Sequence, residues 1–415
     1  MTKEKVLVAV IDYESGDWSA EEIGAELAEL VVACGGEVVD IVICRIDRPS
    51  SAFFIGQGKV KELAEIAAGK GASTVVFSQD LKGSQQRNLE EILNVKTIDR
   101  TQLILDIFAR RAASQEGKMQ VELAQLEYNL PRLVGQGIAL SRLGGGIGTV
   151  GPGETKLEVD RRRISERIVK LKKELNEVAA DRAVKRKKRK DLGIPLVSLV
   201  GYTNAGKSTL LNALTQANQI TRDGLFTTLD PLSRQYTLPN HQKIILSDTV
   251  GFMRDLPHHL IESFKATLEE VTEADLLLHV LDVSHPQFHN LYESVLQVLK
   301  DLNADEKPMI TVLNKIDKLN DVSWLSELNH TTKNPSAVSA KTGKDLPFLL
   351  EKVGEQLSAL MREIDVTIPI KRMDLVHLAH KEGNVLSIEY GNGSVHIRAT
   401  LPVKIAGLFL KAKGD

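Results

Sequence analysis

Cysteine is scarce in this chain: Cys34 and Cys44 are the only two in 415 residues. They form neither a C-x-x-C pair nor a disulfide framework, which excludes a disulfide-stapled scaffold and fits a reducing compartment. Long apolar runs are missing as well. The longest, such as Ile194 to Val200, are strand-sized and far too short to span a bilayer. The opening "MTKEKVLVAVID" enters a strand-like run directly, without the apolar core and cleavage site of a signal peptide. The tail histidines His377, His380 and His396 are too scattered for a metal site. These absences predict a cytoplasmic protein with no membrane span, leaving room for a fraction attached to a membrane surface.

An overall charge excess is also lacking, since 53 Lys and Arg face 55 Asp and Glu for a net −2. The distribution is uneven. Asp160 to Lys190 holds fourteen Lys or Arg against five Asp or Glu, a local +9 that leaves −11 for the rest. Such a segment on a mildly acidic body reads either as a local polyanion contact or as a solvated helix face. A length of 415 residues, with 42% apolar and 26% charged residues, points to a soluble chain of two to four domains.

Strand and helix signals alternate through the first hundred residues. Val6–Ile11, Val38–Cys44, Thr74–Phe77 and Val95–Ile98 read as strands; Glu21–Val32, Val60–Ala68 and Ser84–Leu93 read as helices. That alternation predicts a parallel α/β domain over 1–100. "IGQGK" at Ile55–Lys59 completes no phosphate-binding pattern and reads as a turn. From Thr101 the pattern changes. Met119, Leu123, Leu126 and Leu130 form one helical seam, which Pro131 is expected to stop; Ile164, Ile168, Leu171, Leu175 and Val178 form another. Together they predict an antiparallel helical hairpin over 101–192, with arms of roughly 40 Å.

The tip of that hairpin is glycine-rich: "SRLGGGIGTVGPGETKLEVD", Ser141 to Asp160. Gly146-Ile-Gly148-Thr-Val-Gly151 imitates a dinucleotide fingerprint, but no clear strand precedes it and Pro152 follows the third glycine. A Rossmann turn would run into a helix there. Arg132, Arg142, Lys156 and Arg161, Arg162 and Arg163 flank the stretch, and Gly144, Gly145 and Gly146 begin it. Glycines permit close backbone approach, and arginines pair with phosphates or stack on bases, so RNA contact is favoured over a plain interhelix linker.

Beyond Gly193-Ile-Pro195, an apolar strand at Leu196–Val200 leads into "GYTNAGKS", Gly201 to Ser208, a match to G-x-x-x-x-G-K-[ST] followed by the helix-compatible "TLLNALTQ". Gly201 and Gly206 let the backbone curl so that N–H groups face phosphate oxygens. Tyr202, Thr203, Asn204 and Ala205 complete the loop and Thr209 continues it. Lys207 supplies positive charge, Ser208 a hydroxyl for Mg²⁺, and the helix N-terminus favours the anion. "DTVG", Asp248, Thr249, Val250 and Gly251, ends a strand as a metal-binding aspartate and phosphate-sensing glycine should. "NKID" provides Asn314, Lys315 and Asp317, whose carboxylate suits the guanine edge, and "SAK" provides Ser339, Ala340 and Lys341. In "LFTTLDP", Thr227 or Thr228 can close over the metal, with Thr228 favoured. These elements predict a GTP-binding domain over 193–364 that takes GTP or GDP with Mg²⁺, with Lys207, Thr228 and Gly251 as catalytic candidates. Phe252 stands where many GTPases keep a water-orienting glutamine, so slow hydrolysis without a partner is expected. Asn204 is either a ligand for K⁺ beside the phosphates or a turn brace. Val366–Ile370, Asp374–His380, Leu386–Tyr390, Val395–Thr400 and Val403–Leu410 suggest a small βαββα unit over 365–415.

"GYTNAGKSTLLNAL", "LFTTLDP", "DTVGFMRDLP" and "NKID" resemble the HflX family of GTPases. So do "DRTQLILDIFARRA" from Asp99, "MQVELAQLEYNLPRL" from Met119 and "GGGIGTVGPGETKLEVDRRRI" from Gly144, over residues 1 to about 365. The resemblance implies an α/β multidomain chain with a Ras-like GTPase domain and a small α+β tail. It also implies binding to the large ribosomal subunit and its rRNA near the peptidyl-transferase region, separation of subunits under stress, and GTP hydrolysis stimulated by the ribosome. Family members often carry arginine at the position of Val150, so a contact there is weaker or relocated in this chain. No DNA partner is expected, and the chain is expected to be monomeric. Service in large-subunit assembly or in RNA modification is the alternative role.

Overall fold

The computed structural model describes residues 3–13, 18–133, 156–215, 232–254 and 265–412. They divide into two compact units, one reaching Glu177 and the other starting at Val178. The first begins with β1 (Lys5–Asp12), α1 (Ala20–Ala33), β2 (Glu37–Arg45), α2 (Gln57–Lys70), β3 (Thr74–Phe77), α3 (Gly83–Leu93) and β4 (Lys96–Asp99). The strands pair in parallel in the order β2-β1-β3-β4. Val6 to Ile11 are all buried, as a strand covered on both faces requires. Ser19 caps α1 through a reciprocal pair with Glu22, and Gly71 ends α2 at φ 65°, where a side chain would strain the backbone. The expected alternation is what is found.

The next helix, α4 (Arg100–Arg111), buries Leu103, Ile104, Ile107 and Phe108 and lies against α1. An extended backbone at Ala112 breaks it from α5 (Gln115–Leu133), and α6 (Lys156–Asp191) follows. Pro131 does not stop α5 as expected. It sits in the last turn, where one backbone bond is forfeited and the Arg132 side chain donates to the Tyr128 carbonyl at 2.8 Å. The break at Ala112 also makes the arms unequal: nineteen and thirty-six residues give about 28 and 54 Å. Ion pairs Arg167–Glu122 at 2.7 Å and Lys172–Glu127 at 2.8 Å tie the two helices.

In the second unit β5 (Leu196–Val200), α7 (Lys207–Thr215), β6 (Leu232–Thr237), β7 (Lys243–Asp248), α8 (Lys265–Thr272), β8 (Leu276–Asp282), α9 (Phe288–Asp301), β9 (Met309–Asn314), β10 (Ser336–Ala337) and α10 (Leu346–Leu357) form a layered α/β fold. The sheet order is β10-β9-β8-β5-β7-β6, parallel except for β6. Its core joins Leu199, Leu210, Leu246, Leu278, Val312 and Val353 from both layers. Then come β11 (Met361–Pro369), α11 (Met373–Glu382), β12 (Asn384–Tyr390), β13 (Ser394–Pro402) and α12 (Val403–Ala412), with an antiparallel sheet β11-β13-β12. The strand β11 starts five residues earlier than Val366, because Met361 already pairs with Pro402 at the far end of β13. Among the described residues, no helix is long and apolar enough to cross a membrane.

Candidate functional site

All five residues of β5 are buried, and the chain leaves it to build β7 on one side and β8 on the other. Ligands of open α/β sheets collect at such a switch point, beyond the carboxyl ends of the strands. The loop from Gly201 to Ser208 sits there. Its glycines are dictated by crowding: at Gly201, φ 149°, a Cβ would lie 2.2 Å from the Val280 carbonyl oxygen, and at Gly206, φ 98°, 2.3 Å from Asn314 Nδ2. Asn204 adopts φ 63°, a left-handed conformation that asparagine tolerates better than most residues. Tyr202, Thr203 and Ala205 are buried, and Thr209 is half-buried in the first turn of α7.

Lys207 is buried, and its ammonium donates to the carbonyls of Gly201 at 3.0 Å and Tyr202 at 2.8 Å. Burial lowers its pKa to about 8; Asp248 opposes that shift and Lys315 adds to it. The Ser208 hydroxyl donates to Asp248 Oδ2 at 2.6 Å. These are hard oxygen donors side by side, the type Mg²⁺ takes. Thr249 donates to the Leu199 carbonyl at 2.7 Å, fastening the segment of Val250 and Gly251 to β5. A Cβ on Gly251 would lie 2.9 Å from Thr203 Cα and 3.1 Å from Lys207 Nζ. Phe252 donates its N–H to the Gly201 carbonyl at 3.0 Å and accepts the Thr203 N–H at 2.8 Å. Its ring is buried, so position 252 contributes backbone stitching rather than a polar group.

The distal elements converge on the same loop. Asn314 donates to the Ala205 carbonyl at 2.8 Å and accepts the Ala340 N–H at 3.0 Å, so it clamps two loops together. Ser339 donates to Asp317 Oδ1 at 2.6 Å, orienting an exposed carboxylate; Lys341 is exposed. Lys315 donates to the Asn204 carbonyl at 2.7 Å and to Asp282 Oδ2 at 2.6 Å. Sequence reasoning missed Asp282, which lies 33 residues before Lys315 and meets it only because β8 and β9 are neighbours. It also missed His279, which is fully buried and stacks on Tyr292; burial, with the charge of Lys207, lowers the His279 pKa to about 3, so the imidazole stays neutral. Thr228 lies outside the described residues.

The expected RNA-contact residues are only partly among the described ones. Arg142, Gly144, Gly145 and Gly146 lie outside the described residues, and Lys156 is described only as the first residue of α6. Arg161, Arg162 and Arg163 are exposed in the first turns of that helix. Arg132 is instead an internal clamp. Its guanidinium donates to the Leu81 carbonyl at 2.7 Å and to Asp99 at 3.0 Å, and lies 3.3 Å over the Tyr128 ring. Much of the basic segment is engaged likewise: Arg182 and Arg186 meet Glu269 at 3.3 and 2.8 Å, and Lys190 pairs with Glu273.

Four family models match successive stretches: GTP-binding GTPase N-terminal over 21–109, GTP-binding GTPase Middle Region over 111–189, 50S ribosome-binding GTPase over 196–315, and HflX C-terminal domain over 324–407. The GTPase HflX of Caldanaerobacter subterraneus subsp. tengcongensis is 46% identical over 404 residues, covering 97% of this chain and 92% of that protein. The GTPase HflX of Escherichia coli strain K12 is 42% identical over 368 residues, covering 88% and 86%. A solved GTP-binding protein from Sulfolobus solfataricus in complex with GDP is 26% identical, with a TM-score of 0.46 over 86% of this chain and 99% of that one. Matched by the four family models in succession and 46% and 42% identical to the two GTPase HflX proteins over most of its length, the chain belongs to the HflX family of GTPases, and its activity is GTP hydrolysis.

Proposed function

We propose that this GTPase binds the large ribosomal subunit and couples GTP binding and hydrolysis to the separation or recycling of ribosomal subunits under stress. The observation that carries the reading is the match of 196–315 to a 50S ribosome-binding GTPase, over the very residues that build the phosphate loop. In this reading Lys207 holds the β- and γ-phosphates, and backbone N–H groups of the Gly201–Ser208 loop line the rest of the cradle. Ser208 and Asp248 would hold Mg²⁺, with Thr228 the further ligand expected from sequence, and the ion would supply charge neutralisation. Gly251 reports the γ-phosphate. Asp317, oriented by Ser339, selects guanine. The Phe252 ring cannot orient a water, which supports slow turnover alone and completion of the site by the ribosome or by K⁺ at Asn204. Arg161, Arg162 and Arg163, with the glycine-rich stretch ahead of them, contact rRNA.

Modification chemistry is disfavoured by the thiols. Burial pushes Cys34 and Cys44 up to about 11, so neither offers a thiolate nucleophile. The test is GTP turnover with and without purified large subunits, in potassium and then in sodium buffer, with Lys207→Ala as the blank. Stimulation tenfold or more by the subunit is expected from partner completion of a site, which typically contributes about 10² or more. Unstimulated turnover with tight GTP binding intact would sink the ribosome-activated mechanism. Co-sedimentation with precursor particles but not mature subunits would shift the role to assembly.

A further inference from the structure

Asp282 has no place among the nucleotide-binding motifs, yet its carboxylate is fully committed. It ends β8 directly opposite Asn314 on β9, so its side chain emerges beside the "NKID" turn. Oδ1 accepts the Ser284 N–H at 3.0 Å and the Ser284 hydroxyl at 2.6 Å, which fixes the plane of the group. Oδ2 takes the Lys315 ammonium at 2.6 Å. The same ammonium donates to the Asn204 carbonyl at 2.7 Å, in the left-handed residue at the crest of the phosphate loop. The pair is largely shielded, with side chains 16% and 19% exposed, so its attraction is weakly screened.

From this relay, we infer that Asp282 is a positioning residue for the guanine nucleotide: it holds Lys315, and through Lys315 the bend of the phosphate loop at Asn204. The physical logic is that of an orienting partner. A lysine stem has four rotatable bonds, and a fixed carboxylate removes much of that freedom before the nucleotide arrives. The carboxylate also offsets a second cation near Lys207, whose own ammonium is disfavoured by the charge of Lys315. Ser284 is the supporting contact that keeps Oδ2 aimed.

The experiment measures equilibrium affinity and release of mant-GDP, a fluorescent GDP, for the full chain and for Asp282→Ala, Asp282→Asn, Lys315→Met and the double variant Asp282→Ala/Lys315→Met. Asp282→Ala is expected to raise the Kd about tenfold through faster release, as stripping the partner from a shielded charge does. Asp282→Asn, whose amide oxygen still accepts from an ammonium, is expected to lose less. In the Lys315→Met background, Asp282→Ala is expected to add nothing, because the interaction it removes is already gone. A general loosening of the fold would add in both backgrounds, and melting midpoints taken without nucleotide would reveal it. If Asp282→Ala does not fold, Asp282→Asn in the two backgrounds carries the same comparison. A Kd within twofold of the parent, or an equal loss in the Lys315→Met background, overturns the proposal. Failure of the parent chain itself to bind mant-GDP would overturn the site as a whole, and the role of Asp282 with it.

Discussion

At the residue scale, Lys207 links the site to pH. Its folded pKa of about 8 lies below the ordinary 10.5 because burial penalises the ammonium. Between those values the unfolded chain binds a proton that the folded protein lacks. Stability therefore rises with pH across that window, and the strain of a buried charge is present in full below it. We predict that the melting midpoint of the protein stripped of nucleotide rises from pH 8 to 10 relative to that of Lys207→Met. Parallel pH curves for the two would refute the depressed pKa. The phosphates of GDP favour the charged form, so affinity is expected to fall over the same range, in the opposite sense to stability.

At the element scale, Arg132 and the arginines at the start of α6 separate two jobs that a list of basic residues confuses. Asp99 caps α4 through Gln102, accepts the Leu81 N–H and the Tyr128 hydroxyl, and receives Arg132. Burial raises its pKa and these four donors oppose that. Arg132→Ala leaves a buried carboxylate short of its cation and is expected to cost the first unit about 2–4 kcal/mol in urea unfolding. Alanine at Arg161, Arg162 and Arg163 together is expected to cost under about 1 kcal/mol, as exposed ion pairs do, while weakening subunit binding. Unchanged subunit affinity in that triple variant would remove α6 from the RNA interface.

The same residues mark what was legible beforehand. The phosphate loop could be read because every part is local: a buried strand, eight residues and a helix, with glycines demanded by contacts under 2.5 Å. The alternation of the first hundred residues and the βαββα tail were legible through periodicity alone. The fate of Arg132 was not, since Asp99 lies 33 residues away and nothing local announces it. Asp282 and Lys315 are likewise 33 apart and meet only because β8 and β9 are neighbours. Long-range pairing is set by the sheet order, which periodicity does not encode.

At the scale of the whole molecule, the local +9 on α6 overstates the field that a polyanion would meet. Eight of its fourteen cations, Arg162, Arg163, Arg167, Lys170, Lys172, Arg182, Arg186 and Lys190, face carboxylates of the protein itself. Fourteen open cations would give a salt slope on the order of −10 in log affinity against log salt, at about 0.7–0.9 per phosphate. We expect less than half that slope for a generic RNA duplex, measured by filter binding from 50 to 300 mM potassium chloride. A slope near the full value would mean that the internal pairs open on contact.

If α6 meets RNA as proposed, its internal pairing bears on how the protein searches as well as on how it holds. A helix with more than half of its cations already paired would let go of unsuitable RNA quickly. It would sample many surfaces in brief encounters instead of sliding along one. Discrimination would then rest on shape at the final docking site, and competing RNA would occupy little of its time.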